Sequence, residues 1–144
     1  MVRILSVVCT LFLAAFSVAA PLSVRQVGDA QCNEDRANTV AGLVATNAAV
    51  KQIDTTDPAT ASAVQAAQAG LKSAGQGIAA IAVALVAGQN APAADRAQVG
   101  AGLTAAQTAL TGITDPAASD AVTAALGKLA TTITAGEAVA ADCN

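Results

Sequence analysis

Of 144 residues, 40 are alanine and 11 are glycine, 54% are hydrophobic, two are aromatic and none is histidine. Without histidine the commonest general base and metal ligand is missing, and no cysteine–carboxylate cluster stands at ligand spacing. Zinc, haem and triad chemistry are excluded, and no cofactor or catalytic residue is expected. The formal charge is −3; without clustered basic residues or stacking aromatics, nucleic acid is not an expected partner.

The chain opens with Arg3, an apolar run from Ile4 to Phe16, and the small residues Ser17, Val18, Ala19 and Ala20. That is the format of a secretory signal peptide over residues 1–19. The run is shorter than the roughly 20 apolar residues that span a bilayer, so no transmembrane segment is expected in the mature chain. Cleavage after Ala19 removes Met1, Cys9, Phe12 and Phe16 and leaves six basic residues against ten acidic ones. Residues 20–31, with Pro21, Gly28 and an Arg25-Gln26 step, lack helical periodicity and are expected to form a flexible leader. Cys32 and Cys143 then stand near the two ends of the helical domain, residues 32–144. In an oxidising compartment they are expected to pair. Closing so long a loop gives, in the chain-entropy account, roughly 4 to 5 kcal/mol.

From Asn33 onward the pattern is helical. Val40, Leu43, Val44, Val50 and Ile53 recur at three- and four-residue steps, with Asn33, Glu34 and Asp35 at the amino end, where they suit the helix dipole. Asp57-Pro58 reads as a cap followed by proline at the first helical position. Val64, Leu71, Ile78 and Leu85 come next at seven-residue spacing, interleaved by Ala67, Ala74 and Ile81, as in a bundle seam. Gly75 and Gly77 leave open a break that would make five helices of four. Gly88 to Pro92 ends this element; Val99, Leu103, Ala106, Leu110 and Ile113 mark the third helix. Asp115-Pro116 opens the fourth, with Val122, Leu129, Ile133 and Val139 on one stripe.

An internal duplication organises these elements. Shifted by 60, the first helix matches the third at Asp35/Asp95, Arg36/Arg96, Gly42/Gly102, Leu43/Leu103 and Ile53/Ile113; shifted by 58, the second matches the fourth at Asp57/Asp115, Pro58/Pro116, Val64/Val122 and Leu71/Leu129. The repeats run over 33–88 and 91–144. Each reads as a helical hairpin unable to bury its own apolar stripe, so the two should close on each other. Short connections force neighbouring helices antiparallel, giving an all-α, up-down-up-down four-helix bundle with pseudo-twofold symmetry. The recurring Asp-Arg steps read as solvated salt bridges at helix starts.

With alanine as the commonest filler, the helices must either approach closely or leave space along the axis. The run Ile78 to Ala87 is the most apolar of the helical domain and reads as a buried helix or, with one face uncovered, as an interaction patch. Ile78, Ile81, Leu85, Leu103 and Leu110 are the candidate lining of an apolar groove between the hairpins. The signal peptide, Ala-Pro-Leu at Ala20 to Leu22, Arg25-Gln26 and the Ala/Thr/Gln-rich helical domain resemble small secreted fungal proteins. In style the chain is similar to hydrophobic surface-binding proteins and the related cell-wall galactomannoproteins. That resemblance implies a helical protein, extracellular or cell-wall associated, that binds apolar surfaces or fatty acids, and it assigns no binding residue. The expected function is thus non-enzymatic: binding an apolar small molecule or a hydrophobic surface, or, as the alternative, engaging a cell-wall or host protein as a structural component, inhibitor or effector.

Overall fold

The computed structural model describes residues 30–143; the expected signal peptide and all of the leader before Ala30 lie outside the described residues. The chain forms α1 (Ala30–Val50), α2 (Pro58–Val86), α3 (Ala93–Thr111) and α4 (Ser119–Asp142), the last entered through a 3-10 turn at Pro116–Ala118. Among the described residues there is no strand, and the helices pack as the expected four-helix bundle. Asp57 caps α2, its carboxylate accepting from the Thr60 N–H at 2.7 Å. Asp115 accepts from the Ala117 N–H at 2.9 Å. Gly88, at φ 72°, ends α2: its N–H donates to the Leu85 carbonyl and that of Gln89 to the Ala84 carbonyl, a closure that needs the left-handed conformation glycine adopts without strain.

Two boundaries differ from expectation. Helix α1 begins at Ala30, so Ala30 and Gln31 are helical rather than leader, and Glu34 and Asp35 fall in its second turn rather than its first. Helix α2 runs unbroken through Gly75 and Gly77, so there are four helices and not five. Gly77 is a place of close approach: a Cβ there would lie 2.8 Å from the Asp95 carbonyl oxygen and from Val99 Cγ2 on α3.

Helices pair across the duplication. The closest packing joins α2 to α3 and α1 to α4, while the two helices of each repeat, α1 with α2 and α3 with α4, touch far less. In the α2–α3 pair, a Cβ on Gly102 would lie 2.6 Å from the Gly70 carbonyl oxygen and 2.7 Å from the Ala74 nitrogen. In the α1–α4 pair the duplicated contact sets Gly42 against Thr132, 2.6 Å from a built Cβ to Oγ1. Two buried alanines, Ala74 and Ala106, thus correspond to two buried threonines, Thr132 and Thr46, all 0% exposed. The two hydroxyls lie 3.0 Å apart. Each also reaches a carbonyl one turn back, Thr46 that of Gly42 and Thr132 that of Lys128. With one proton on each hydroxyl, one threonine donates to its carbonyl and the other donates either across to it or to its own carbonyl, so every hydroxyl oxygen has a partner.

These contacts set the sign of glycine substitutions. Gly102→Ala pushes a methyl into the α2 backbone and is expected to lower the unfolding free energy by about 1–3 kcal/mol. Gly127→Ala, with open space around the built Cβ, is expected to raise it by about 0.5–1 kcal/mol; urea denaturation of the two variants reads the difference.

The capping carboxylates set a pH dependence. The Thr60 N–H holds the Asp57 carboxyl below its ordinary value, and the Thr56 hydroxyl, then its N–H, does the same for Asp54. A carboxyl whose folded pKa is depressed stabilises the fold above the unfolded pKa and loses that contribution as pH falls through the folded value. Below about pH 4 the wild-type melting temperature is therefore expected to fall more steeply than that of Asp57→Asn, which keeps an acceptor at the cap but does not titrate.

Candidate functional site

The bundle axis is filled in one half and open in the other. At the end that carries the 51–57 and 112–118 connections, Val50, Ile53, Leu110 and Val122 close the axis, and Leu71 and Leu129 continue the core to mid-length. Towards the opposite end, where α1 and α3 begin and α2 and α4 finish, side chains large enough to fill it run out. Gly100, Gly136, Ala82, Ala91 and Ala140 stand there among the larger residues, and a groove of about 680 Å³ opens between the two helix pairs. That volume falls in the range of small-molecule sites, roughly 300–1,000 Å³.

The walls are mostly aliphatic. Ile78, Ile81 and Leu85 of α2 face Ile133 and Val139 of α4, and Leu103 of α3 and Val40 of α1 complete them. Leu103 is buried and forms the floor, belonging to core and groove alike. Ile78, Ile81 and Leu85 are half-buried. Four of the five expected lining residues are therefore brought together. Leu110 is not among them: two turns beyond Leu103, it is 0% exposed and sits in the filled half, packed with the core.

Sequence reasoning names Ile133 and Val139 only as stripe residues, and places Thr39, Val40, Arg36 and Arg96 in no groove; all line it. The duplication carries the signal that finds several of them. The 58-residue shift takes Ile81 to Val139 and Leu85 to Cys143, and the 60-residue shift takes Arg36 to Arg96. The groove thus lies on the pseudo-twofold axis. The first of the recurring Asp-Arg steps is not a simple exposed pair. Asp35 is buried and accepts from Gln31 Nε2 at 3.2 Å, whereas Arg36 donates to Asn33 Oδ1 at 3.1 Å and borders the groove.

The Cys32–Cys143 disulfide stands at the mouth, joining the first turn of α1 to the end of α4 with Cα atoms 5.1 Å apart. Cys32 is fully buried and Cys143 lines the groove. The Ile78–Ala87 run, read as a buried helix or an uncovered patch, is both: Ala84 is buried against the bundle, while Val83 and Val86 are 71% and 85% exposed. Among the described residues no three of His, Cys, Asp and Glu gather to hold a metal ion. A second hollow of about 410 Å³ lies against the α2 start and the 3-10 turn. Its two carboxylates, Asp57 and Asp115, already accept backbone N–H groups as caps.

Comparison with known proteins finds no matching family model, no matching curated protein and no matching solved structure.

The contrast between the halves is measurable. Leu110→Ala removes a fully enclosed side chain and is expected to cost about 2–5 kcal/mol. Ile81→Ala, on a wall open to solvent, is expected to cost distinctly less, so thermal denaturation should rank the two variants in that order.

Proposed function

We propose that this protein is a secreted, non-enzymatic binder of apolar ligands or hydrophobic surfaces, lipid or cell-wall associated, and that the groove between its two helix pairs is the binding site. The observation that carries this reading is an aliphatic hollow of ligand size in a bundle whose other half holds most of the buried hydrophobic cluster. Evenly loose packing would be the mark of a poor core. Here the aliphatic hollow lies at one end, where Ile78, Ile81, Leu85, Ile133 and Val139 keep apolar surface turned towards it, while the smaller hollow at the other end is bordered by the capping carboxylates Asp57 and Asp115. Transfer of an alkyl chain from water onto such a wall yields roughly 25 cal/mol per Å² of apolar surface covered.

One observation favours a second reading, an interaction module. The exposed large hydrophobics Val40, Val44, Val83 and Val86 all lie in the first repeat. Their counterparts in the second are Gly100, Thr104, Ala141 and Asn144. The duplication serves as an internal control: the same positions of the repeat are apolar in the first copy and small or polar in the second. Such a one-sided patch suits contact with another surface.

Displacement of a fluorescent fatty acid, together with adsorption to hydrophobic beads, separates these readings. Ile81→Glu places a carboxylate on the groove wall and is expected to weaken displacement at least ~10-fold, about 1.4 kcal/mol, with the circular dichroism of the fold retained. Val83→Glu, outside the groove, is expected to leave displacement unchanged. Bead adsorption lost in Val83→Glu but kept in Ile81→Glu would instead assign the activity to the surface patch, and no response in either assay from the wild type would retire the apolar-ligand reading.

A further inference from the structure

The way the helices are joined divides the bundle into two bodies. Within the α2–α3 pair, Gly70 and Gly102 bring the backbones together, Gly77 meets Val99, and Gln98 Nε2 donates to the Ser73 carbonyl at 3.1 Å. The 87–92 connection ties this pair at the groove end. Within the α1–α4 pair, Gly42 packs on Thr132, Thr46 and Thr132 bond across the interface, and the Cys32–Cys143 disulfide supplies the tie at the groove end. Each pair is thus tightly packed along its length and covalently fastened at the mouth.

Between the pairs the situation is reversed. The seams α1/α2 and α3/α4 are sparsely packed. Both chain segments that cross from one pair to the other, 51–57 and 112–118, lie at the filled end and have the same length of seven residues. Each carries an aspartate before a proline: Asp57 caps α2 itself, whereas Asp115 caps the 3-10 turn that leads into α4. Among the described residues no covalent link crosses between the pairs at the mouth. Two stiff bodies joined by two equal connections at one end are the geometry of a hinge.

We infer that the α1–α4 and α2–α3 pairs act as rigid jaws, swinging about the filled end so that the groove mouth widens to admit an apolar chain. The disulfide has a definite place in this device. It fastens one jaw internally and does not bar the mouth, as the 87–92 connection does for the other jaw. What the jaws admit rests on the proposed function; the motion itself does not.

Spin labels on the full chain under non-reducing conditions test it. Ala37 on α1 and Ala97 on α3 are exposed, occupy duplicated positions and belong to different jaws, so Ala37→Cys/Ala97→Cys reports across the mouth. Val83→Cys/Ala97→Cys lies within the α2–α3 jaw and is the control. In the free protein the crossing pair is expected to give a broader distance distribution than the control, and dodecanol is expected to shift it outward by several ångströms while the control stays fixed. A crossing distribution as narrow as the control and unmoved by dodecanol overturns the proposal, as does a broad one that fails to shift while dodecanol displaces the fluorescent fatty acid. If dodecanol does not bind at all, the groove reading fails, and the widths in the free protein alone decide for or against the jaws.

Discussion

The backbones of paired helices run so close that a single methyl group does not fit between them. Where Gly70 meets Gly102, a Cβ on either residue would fall 2.6 Å from the other's carbonyl oxygen; where Gly42 meets Thr132 the clearance is the same. Close approach is what lets an alanine-rich chain gain dispersion energy without large side chains, because each small residue touches backbone instead of leaving a void. It also obliges pairs to form. Here α2 offers that face to α3 and α1 offers it to α4, and the remaining seams are more sparsely packed. Larger side chains are plentiful at one end of the axis and scarce at the other.

The groove is the consequence. Val50, Leu110 and Val122 close the axis near the two crossing connections and Leu71 and Leu129 at mid-length, while glycines and alanines at 100, 136, 82 and 140 leave it open at the other end. The disulfide stabilises the arrangement where noncovalent packing is weakest, at the open end, and it does so inside one pair. Electrostatics contributes little: the wall is aliphatic, and the charged groups that border it are Arg36, Arg96 and Glu137. Affinity for a ligand would rest on area removed from water and on the shape of the wall, with specificity correspondingly broad.

Much of this is legible in residue order because local rules and tertiary demands agree. Asp57-Pro58 and Asp115-Pro116 open helical segments, with Pro116 first making a 3-10 turn. Gly88 closes α2 through its positive φ. The pairing of Cys32 with Cys143 is foreshadowed by two cysteines at the ends of one helical domain. The start of α1 lies one turn earlier than periodicity indicates, because Ala30 and Gln31 carry no periodic signal of their own and are helical as an extension of the turns after them. Gly75 and Gly77 suggest a weak point for the opposite reason: propensity penalises glycine in a helix, yet packing against Asp95 and Val99 leaves room for nothing larger at Gly77.

Periodicity and self-similarity indicate the helical segments and two equivalent halves, while leaving a break at Gly75 and Gly77 open, since each depends on spacing along the chain; the Cys32–Cys143 tie is expected from cysteine count and an oxidising compartment. Which helix lies against which, and where the axis is left unfilled, depends on the summed volumes of residues far apart in the chain. Leu103 and Leu110 show the difference. They share a stripe and a side chain, but Leu103 borders the groove as well as the core, whereas Leu110 is fully enclosed in the core. Only packing in three dimensions separates a groove residue from a core residue of the same kind.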